Sequence, residues 1–177
     1  NTFWAEGMYL GINELLDSLG FENSEDVVVF LNEDISLIEC RTRGFLNEFR
    51  GNRKLRVSVG FVEDSKTGKV LYGPVKRFGL LKHKFKQVNK AQFKDVETFN
   101  CNFTACRFEL VRDLSGFRKF KHAYADYDFG LRISARGVPI NVFDKAIGLD
   151  TEDSARGANK LNSPAYKLRE NHEDRVS

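Results

Sequence analysis

Residues 27–34 read Val27-Val28-Val29-Phe30-Leu31-Asn32-Glu33-Asp34. Five apolar side chains in succession, three of them β-branched, favour an extended strand. With no polar residue in alternation, the run is expected to be buried on both faces, as strands are in parallel sheets with helices on each side. The abrupt change to Asn32-Glu33-Asp34 places an acidic turn beyond the carboxyl end of that strand. Ligands of open α/β sheets bind there.

Upstream, residues 7–19 set Met8, Ile12, Leu15, Leu16 and Leu19 at helical spacing and stop at Gly20. Downstream, residues 36–50 read as a helix ending at Gly51, and residues 55–63 alternate as a strand. Lys66-Thr67-Gly68-Lys69 then turns the chain into a second strand, where Pro74 implies an edge or a bulge. Residues 82–94 show little periodicity and are expected to be a surface loop. Residues 96–107 alternate as one strand, with Phe99, Cys101 and Phe103 on one face and Asn100, Asn102 and Thr104 on the other. Residues 126–135 form a helical pattern with Asp126 and Asp128 in its first turn, against the positive dipole end. Arg132 follows Asp128 by four, a pairing distance on a helix. Gly137 closes it, and residues 138–143 read as a last strand. This order indicates an α/β architecture, a mixed, mostly parallel sheet with flanking helices.

The composition fits a globular domain: of 177 residues, 41% are hydrophobic and 30% charged, which excludes a disordered or coiled-coil chain. That length supports one sizeable core. Residues 1–150 are expected to hold it, with 151–177 a polar tail that is helical only when docked. Charge is uneven. Residues 65–94 hold nine basic side chains and no acidic one, so a formal charge of +3 leaves −6 for the remainder. Three cysteines, without a C-x-x-C pair, suggest reduced thiols and no zinc site. Cys101 and Cys106, five apart in one strand, should face opposite ways. No apolar run approaches 18 residues and no signal-peptide pattern opens the chain, so a cytoplasmic location is expected. The basic segment adds the option of a peripheral position at the inner face of a membrane.

Four segments, in order, resemble family 2 glycosyltransferases of the rhamnosyltransferase-like branch. Phe3-Trp4-Ala5-Glu6-Gly7-Met8-Tyr9-Leu10-Gly11-Ile12 is similar to that family's tryptophan-containing GGMNxGI helix entry, and Leu31-Asn32-Glu33-Asp34 to its LNDD. Thr98-Phe99-Asn100-Cys101-Asn102 is similar to TFNGN, and Tyr124-Ala125-Asp126-Tyr127-Asp128-Phe129-Gly130-Leu131-Arg132 to xxDxDxGLR. The resemblance spans roughly residues 2–150. It departs at Glu6 (for Gly), Cys101 (for Gly) and Ala125 (for Glu), and it lacks the family's C-terminal His near residues 147–150. The family's first strand, nucleotide-binding turn and second βα unit precede the tryptophan segment, at which this sequence starts. These residues are therefore expected to form the C-terminal part of a GT-A-like, Rossmann-like nucleotide-diphospho-sugar transferase fold. Taken alone they should bind nucleotide sugar weakly and be inactive.

The resemblance implies an inverting, metal-dependent transferase that moves sugar from a UDP- or dTDP-sugar to a saccharide or lipid-linked acceptor in surface polysaccharide synthesis. Its divalent cation, Mg²⁺ or Mn²⁺, neutralises the departing diphosphate. Asp34 is the implied metal ligand, helped by Asn32 or Glu33, and Asp126 the general base for the acceptor hydroxyl. Trp4, Asn32, Glu33, Asn100, Asn102 and Asp128 are the implied donor- and acceptor-side residues, with Asp128 supporting through Arg132. Without the resemblance, Asp34 fits a cap on the helix that follows, and Trp4 a buried anchor. Asn100 and Asn102 then fit a solvent-facing edge, and Lys76 and Arg77 a solvated loop. Two other classes of function stay open, a non-catalytic fragment and a phosphate- or nucleic-acid-binding module built on residues 65–94, where Phe78, Phe85 and Phe93 interleave the cations. The carboxylates at 33–34 and 126–128 would repel a phosphate tract, which disfavours nucleic acid. The same segment suits anionic lipid headgroups or a lipid-diphosphate acceptor.

Overall fold

The computed structural model describes residues 4–18, 26–32, 35–79, 84–120 and 124–150. The order is α1 (Trp4–Ser18), β1 (Val27–Leu31), β2 (Ser36–Leu37), α2 (Glu39–Gly51), β3 (Val57–Val59), β4 (Val62–Asp64), β5 (Val70–Tyr72), β6 (Pro74–Phe78) and β7 (Lys84–Gln87). A 3₁₀ turn (Lys90–Asp95) leads to β8 (Thr98–Phe99), β9 (Phe103–Arg107), α3 (Phe108–Asp113), α4 (Ala125–Ala135), β10 (Asn141–Val142) and β11 (Gly148–Asp150).

The mixed α/β reading holds, but the sheets are not mostly parallel. Among the described residues the strands form sheets ordered β1-β9-β3-β10, β2-β11-β4-β5 and β7-β6-β8. Among the described residues β10 with β3 and β11 with β4 run parallel, and the other pairings are antiparallel. Strand β9 separates β1 from β3 and runs against both, which periodicity cannot reveal because direction leaves no mark on side-chain alternation. Strand β1 is likewise not buried on both faces. Among the described residues it pairs with β9 alone, and Val29 and Leu31 are exposed while Phe30 is buried.

Helices cover both faces of the first sheet. Ala5 and Ile12 of α1, Leu110 and Val111 of α3, and Phe129 and Ile133 of α4 pack with Phe30, Val57, Val59 and Cys106. On the other face Phe45 and Phe49 of α2 pack with Phe103, Ala105 and Phe143. The i, i+4 pairs Phe45/Phe49 and Phe129/Ile133 give each helix one apolar stripe. The hairpin between β4 and β5 closes as the sequence suggests: Asp64 Oδ1 accepts from the backbone N–H groups of Lys66 (3.1 Å) and Thr67 (2.7 Å). Pro74 opens β6, the middle strand of its sheet, where the first position tolerates a missing N–H.

Three expected strands are interrupted, residues 55–63 splitting into β3 and β4 and the strand after the Lys66–Lys69 turn into β5 and β6. Residues 96–107 divide at a turn over Cys101 and Asn102, so Phe99 and Phe103 enter different cores and Cys101 and Cys106 share one. The supposed basic loop contains a strand, β7, and the 3₁₀ turn. Helix α2 starts at Glu39, after the short β2, and α3 has no counterpart in the sequence reading. The tail, residues 151–177, lies outside the described residues.

Arg107 ties α2 to the sheet. Its buried guanidinium donates to the carbonyls of Phe49 (2.8 Å), Asn52 (3.2 Å) and Leu55 (3.2 Å) and lies over the Phe49 ring. Those carbonyls belong to the end of α2 and the loop beyond it, where a cation also opposes the dipole. Arg107→Met keeps the volume but leaves three carbonyls without this donor. It is expected to lower unfolding stability by about 2 kcal/mol in urea titration, and an unchanged midpoint would contradict this role.

Candidate functional site

The turn at Asn100-Cys101-Asn102 joins β8 to β9, and three elements converge on it. From β1, the Asn32 N–H donates to the Asn102 carbonyl (3.1 Å). From β6, the Gly73 carbonyl next to it accepts from the Asn100 N–H (2.8 Å). From α4, the Asp126 carboxylate accepts from Asn100 Nδ2 at 3.4 Å. Three of the four segments singled out in the sequence thus meet at one place: the end of β1, the 98–102 segment and the start of α4.

Asp126 is the chemically distinctive group. Burial pushes its carboxyl up to about 6, although hydrogen bonds from the Tyr127 N–H (2.8 Å), from Asn100 and from the Cys101 backbone pull the other way. A helix-start position alone suggests a low value; here desolvation outweighs dipole and hydrogen bonds together. Around it runs a chain of side chains. Gln87 Nε2 donates to Asn100 Oδ1 (2.5 Å), and Asn100 Nδ2 donates to Tyr127 Oη (3.2 Å) as well as to Asp126. Burial, then the nearby Asp126 charge, push the Tyr127 phenol up to about 12, so it stays protonated at neutral pH. Asn100 therefore orients Asp126 with an amide whose two ends are both engaged.

One flank of the site is aromatic. The Phe85 ring lies 4.7 Å from Tyr127 and 6.5 Å from Tyr124, centroid to centroid. Tyr124 is exposed and sits at φ +70°, a left-handed conformation uncommon for a residue with a side chain. Strain of this kind persists where surroundings enforce it, often at functional sites. Gln87 has no role in the sequence reading, Phe85 enters it only as an aromatic among the cations, and Tyr124 and Tyr127 only as members of the Asp126 motif. The signal was present in Lys84-Phe85-Lys86-Gln87, a strict alternation, and in Tyr124 and Tyr127 bracketing Asp126 one helical turn apart.

The remaining candidates divide. Asp128 accepts from Arg132 Nε (2.8 Å) and Arg118 Nη1 (3.2 Å), while Arg132 also donates to the carbonyls of Leu114 and Gly116 (2.7 Å each). This is the supporting role expected of it. Asn102 is buried, and Asn32 Oδ1 is a buried acceptor with no hydrogen-bond partner among the described residues. Glu33, Asp34 and the Trp4 side chain lie outside the described residues. Among the described residues no three His, Cys, Asp or Glu side chains gather as metal ligands. The orphaned Asn32 oxygen, next to those two carboxylates in sequence, is a donor that a hard divalent cation accepts. Lys76 and Arg77 are neither loop nor free: Lys76 pairs with Asp95 (3.8 Å) and Arg77 with Glu97 (3.0 Å), while Lys90 pairs with Glu63 (2.5 Å). A phosphate tract would have to compete with these carboxylates.

No family model matches the chain, and no curated protein matches it. The site's chemistry has to speak from its own residues. It offers a half-buried carboxylate whose pKa is pushed up to about 6, an amide that aims it, a protonated phenol and an aromatic flank of which Tyr124 is exposed.

Proposed function

We propose that this chain carries the acceptor-activating part of an inverting, GT-A-like glycosyltransferase, with Asp126 as general base. The observation that carries the reading is the Asp126 carboxyl itself, pushed up to about 6 and held by Asn100 at the convergence of β1, β8 and α4. A base works best when its pKa lies close to the operating pH. Asp126 takes the proton of the acceptor hydroxyl as its oxygen attacks the anomeric carbon. The sugar–phosphate bond breaks on the opposite side, and its electron pair leaves with the nucleoside diphosphate. The exposed Tyr124 and the neighbouring Phe85 offer apolar faces of the kind that stack on a sugar ring. Tyr127 and Gln87 set the position of Asn100, and through it of the base. A divalent cation bound by Asp34 with Asn32 or Glu33 would supply charge neutralisation for the diphosphate.

The test is a pH–rate profile of the full-length protein with UDP- and dTDP-sugar donors. kcat/KM is expected to rise with pH through about 6 as Asp126 loses its proton, then level off. Asn100→Ala removes a hydrogen bond that favours the charged form, so the midpoint should move upward. A flat profile, or a midpoint that moves down in the variant, would overturn the assignment.

A further inference from the structure

The β6–β7 hairpin has two unlike faces. Its cross-strand pairs are Val75 with Gln87, Lys76 with Lys86, Arg77 with Phe85 and Phe78 with Lys84. Alternation puts Val75, Arg77, Phe85 and Gln87 on one face, and Phe85 and Gln87 there contact Tyr127 and Asn100. The other face carries Lys76, Phe78, Lys84 and Lys86. Phe78, Lys84 and Lys86 are exposed, and the Lys86 Nζ lies 5.6 Å over the Phe78 ring. Among the described residues neither Lys84 nor Lys86 pairs with a carboxylate, whereas Lys76 is neutralised by Asp95.

We infer that this outer face docks on an anionic lipid surface and so holds the Asn100–Asp126 site beside a membrane. Two lysines without a carboxylate partner among the described residues, flanking an exposed aromatic ring, match the chemistry of a bilayer interface. Ammonium groups meet the anionic headgroups, and the ring enters the boundary layer below them. Lysine stems are long enough to keep their charge among the headgroups while Phe78 goes deeper. Nucleic acid suits the face less well. It needs a run of cations along a strand of phosphates, and here Lys76, Arg77 and Lys90 are already held by Asp95, Glu97 and Glu63. No helix among the described residues is long and apolar enough to cross a membrane, so the contact proposed is peripheral. The attachment stands on the hairpin alone; its benefit to catalysis, access to a lipid-linked acceptor, rests on the transferase reading above.

Vesicle co-sedimentation of the full chain separates the two. The protein is expected to pellet with vesicles of phosphatidylcholine mixed with phosphatidylglycerol, to stay in solution with phosphatidylcholine alone, and to be released by salt. The double variant Lys84→Glu/Lys86→Glu should lower the partition at least about tenfold, since each lysine near an anionic surface supplies a comparable share. Phe78→Ser should weaken binding while leaving its salt dependence in place. The double variant Lys66→Glu/Lys94→Glu, at exposed lysines of the β4–β5 turn and the 3₁₀ turn, is the charge-matched control and should bind as the parent does. Circular dichroism of each variant reports the fold. Equal binding to both vesicle types, or no loss in the double variant, would overturn the inference. So would retention of a labelled single-stranded oligonucleotide, and not of vesicles, by the same lysines. None of these outcomes depends on turnover, so a full-length protein that docks but transfers no sugar would fault the transferase reading and leave the docking face intact.

Discussion

Asp126→Asn is expected to lower turnover at least about a hundredfold while leaving donor affinity unchanged, and to make the protein more stable at neutral pH. The two effects have one cause. Folding holds the carboxyl at about 6 against an ordinary 3.8, so the native state binds the proton more tightly than the unfolded chain does. Below about pH 4 both states are protonated and the group costs nothing. As pH rises from about 4 to about 6 the unfolded chain ionises first, and stability falls. Above about 6 the penalty is complete, up to about 3 kcal/mol for roughly two pKa units. Asn removes the charge, but its amide nitrogen would face the Asn100 Nδ2 donor, which trims the gain to about 1–2 kcal/mol. The melting temperature should therefore rise by roughly 3–6 °C near pH 8, with the gap closing below about pH 4. Asp128→Asn should do neither: it weakens the Arg118 and Arg132 contacts and keeps most of the turnover. If Asp128→Asn is the inactive variant and Asp126→Asn works, the base has been misassigned.

Gly130→Ala is expected to be strongly destabilising although it adds a single methyl group. A Cβ at position 130 would lie 2.3 Å from Thr98 Oγ1 and 2.9 Å from Thr98 Cα, and the second of these atoms is backbone. No rotamer relieves that contact; α4 must move off β8. Overpacking of this kind costs about 1–3 kcal/mol or more, against roughly 1 kcal/mol gained in helix propensity. We expect a net loss of about 2 kcal/mol and a melting point lower by roughly 4–8 °C. The Thr98 hydroxyl donates to the Tyr127 carbonyl (2.8 Å), so displacement of α4 also shifts Asp126 and should lower activity with it. Gly7→Ala in α1, where nothing lies within 4 Å of the added methyl, is the control and should be neutral or stabilising. Equal melting points for the two variants would mean that α4 does not rest on β8 as described.

Helices α1, α2 and α4 were legible because each has one apolar stripe at helical spacing, and the β4–β5 hairpin because Asp64 and Gly68 carry turn chemistry. Strand direction was not legible. Val27–Leu31 reads as a doubly covered parallel strand, yet it borders an antiparallel partner and leaves Val29 and Leu31 exposed. The turn at residues 100–102 was hidden because Phe99 and Phe103 keep the parity of one continuous strand while entering opposite cores. Of the site, Asp126, Asn100 and the Asp128–Arg132 support could be read from motif and spacing. Gln87, Phe85 and Tyr127 could not, since they reach Asp126 through contacts 13 to 42 positions apart along the chain, across strands whose register only the fold sets. The rise in the Asp126 pKa was hidden for the same reason. Desolvation depends on what surrounds a carboxyl, and the local sequence suggested only a dipole.

The two parallel ladders have a consequence for synthesis of the chain. Strands β3 and β4 take their partners β10 and β11 from more than 80 residues downstream, with Ser58 facing Asn141 and Val62 facing Gly148. Closing so long a loop costs entropy before any pairing repays it, and non-local pairings of this kind slow folding. During translation both sheets therefore wait, one side of β3 and one side of β4 bare, until β10 and β11 have emerged. Nascent chains cut short before residue 141 would keep those edges open beside Val57, Val59 and Phe61. Those are the species a chaperone would have to shield from one another.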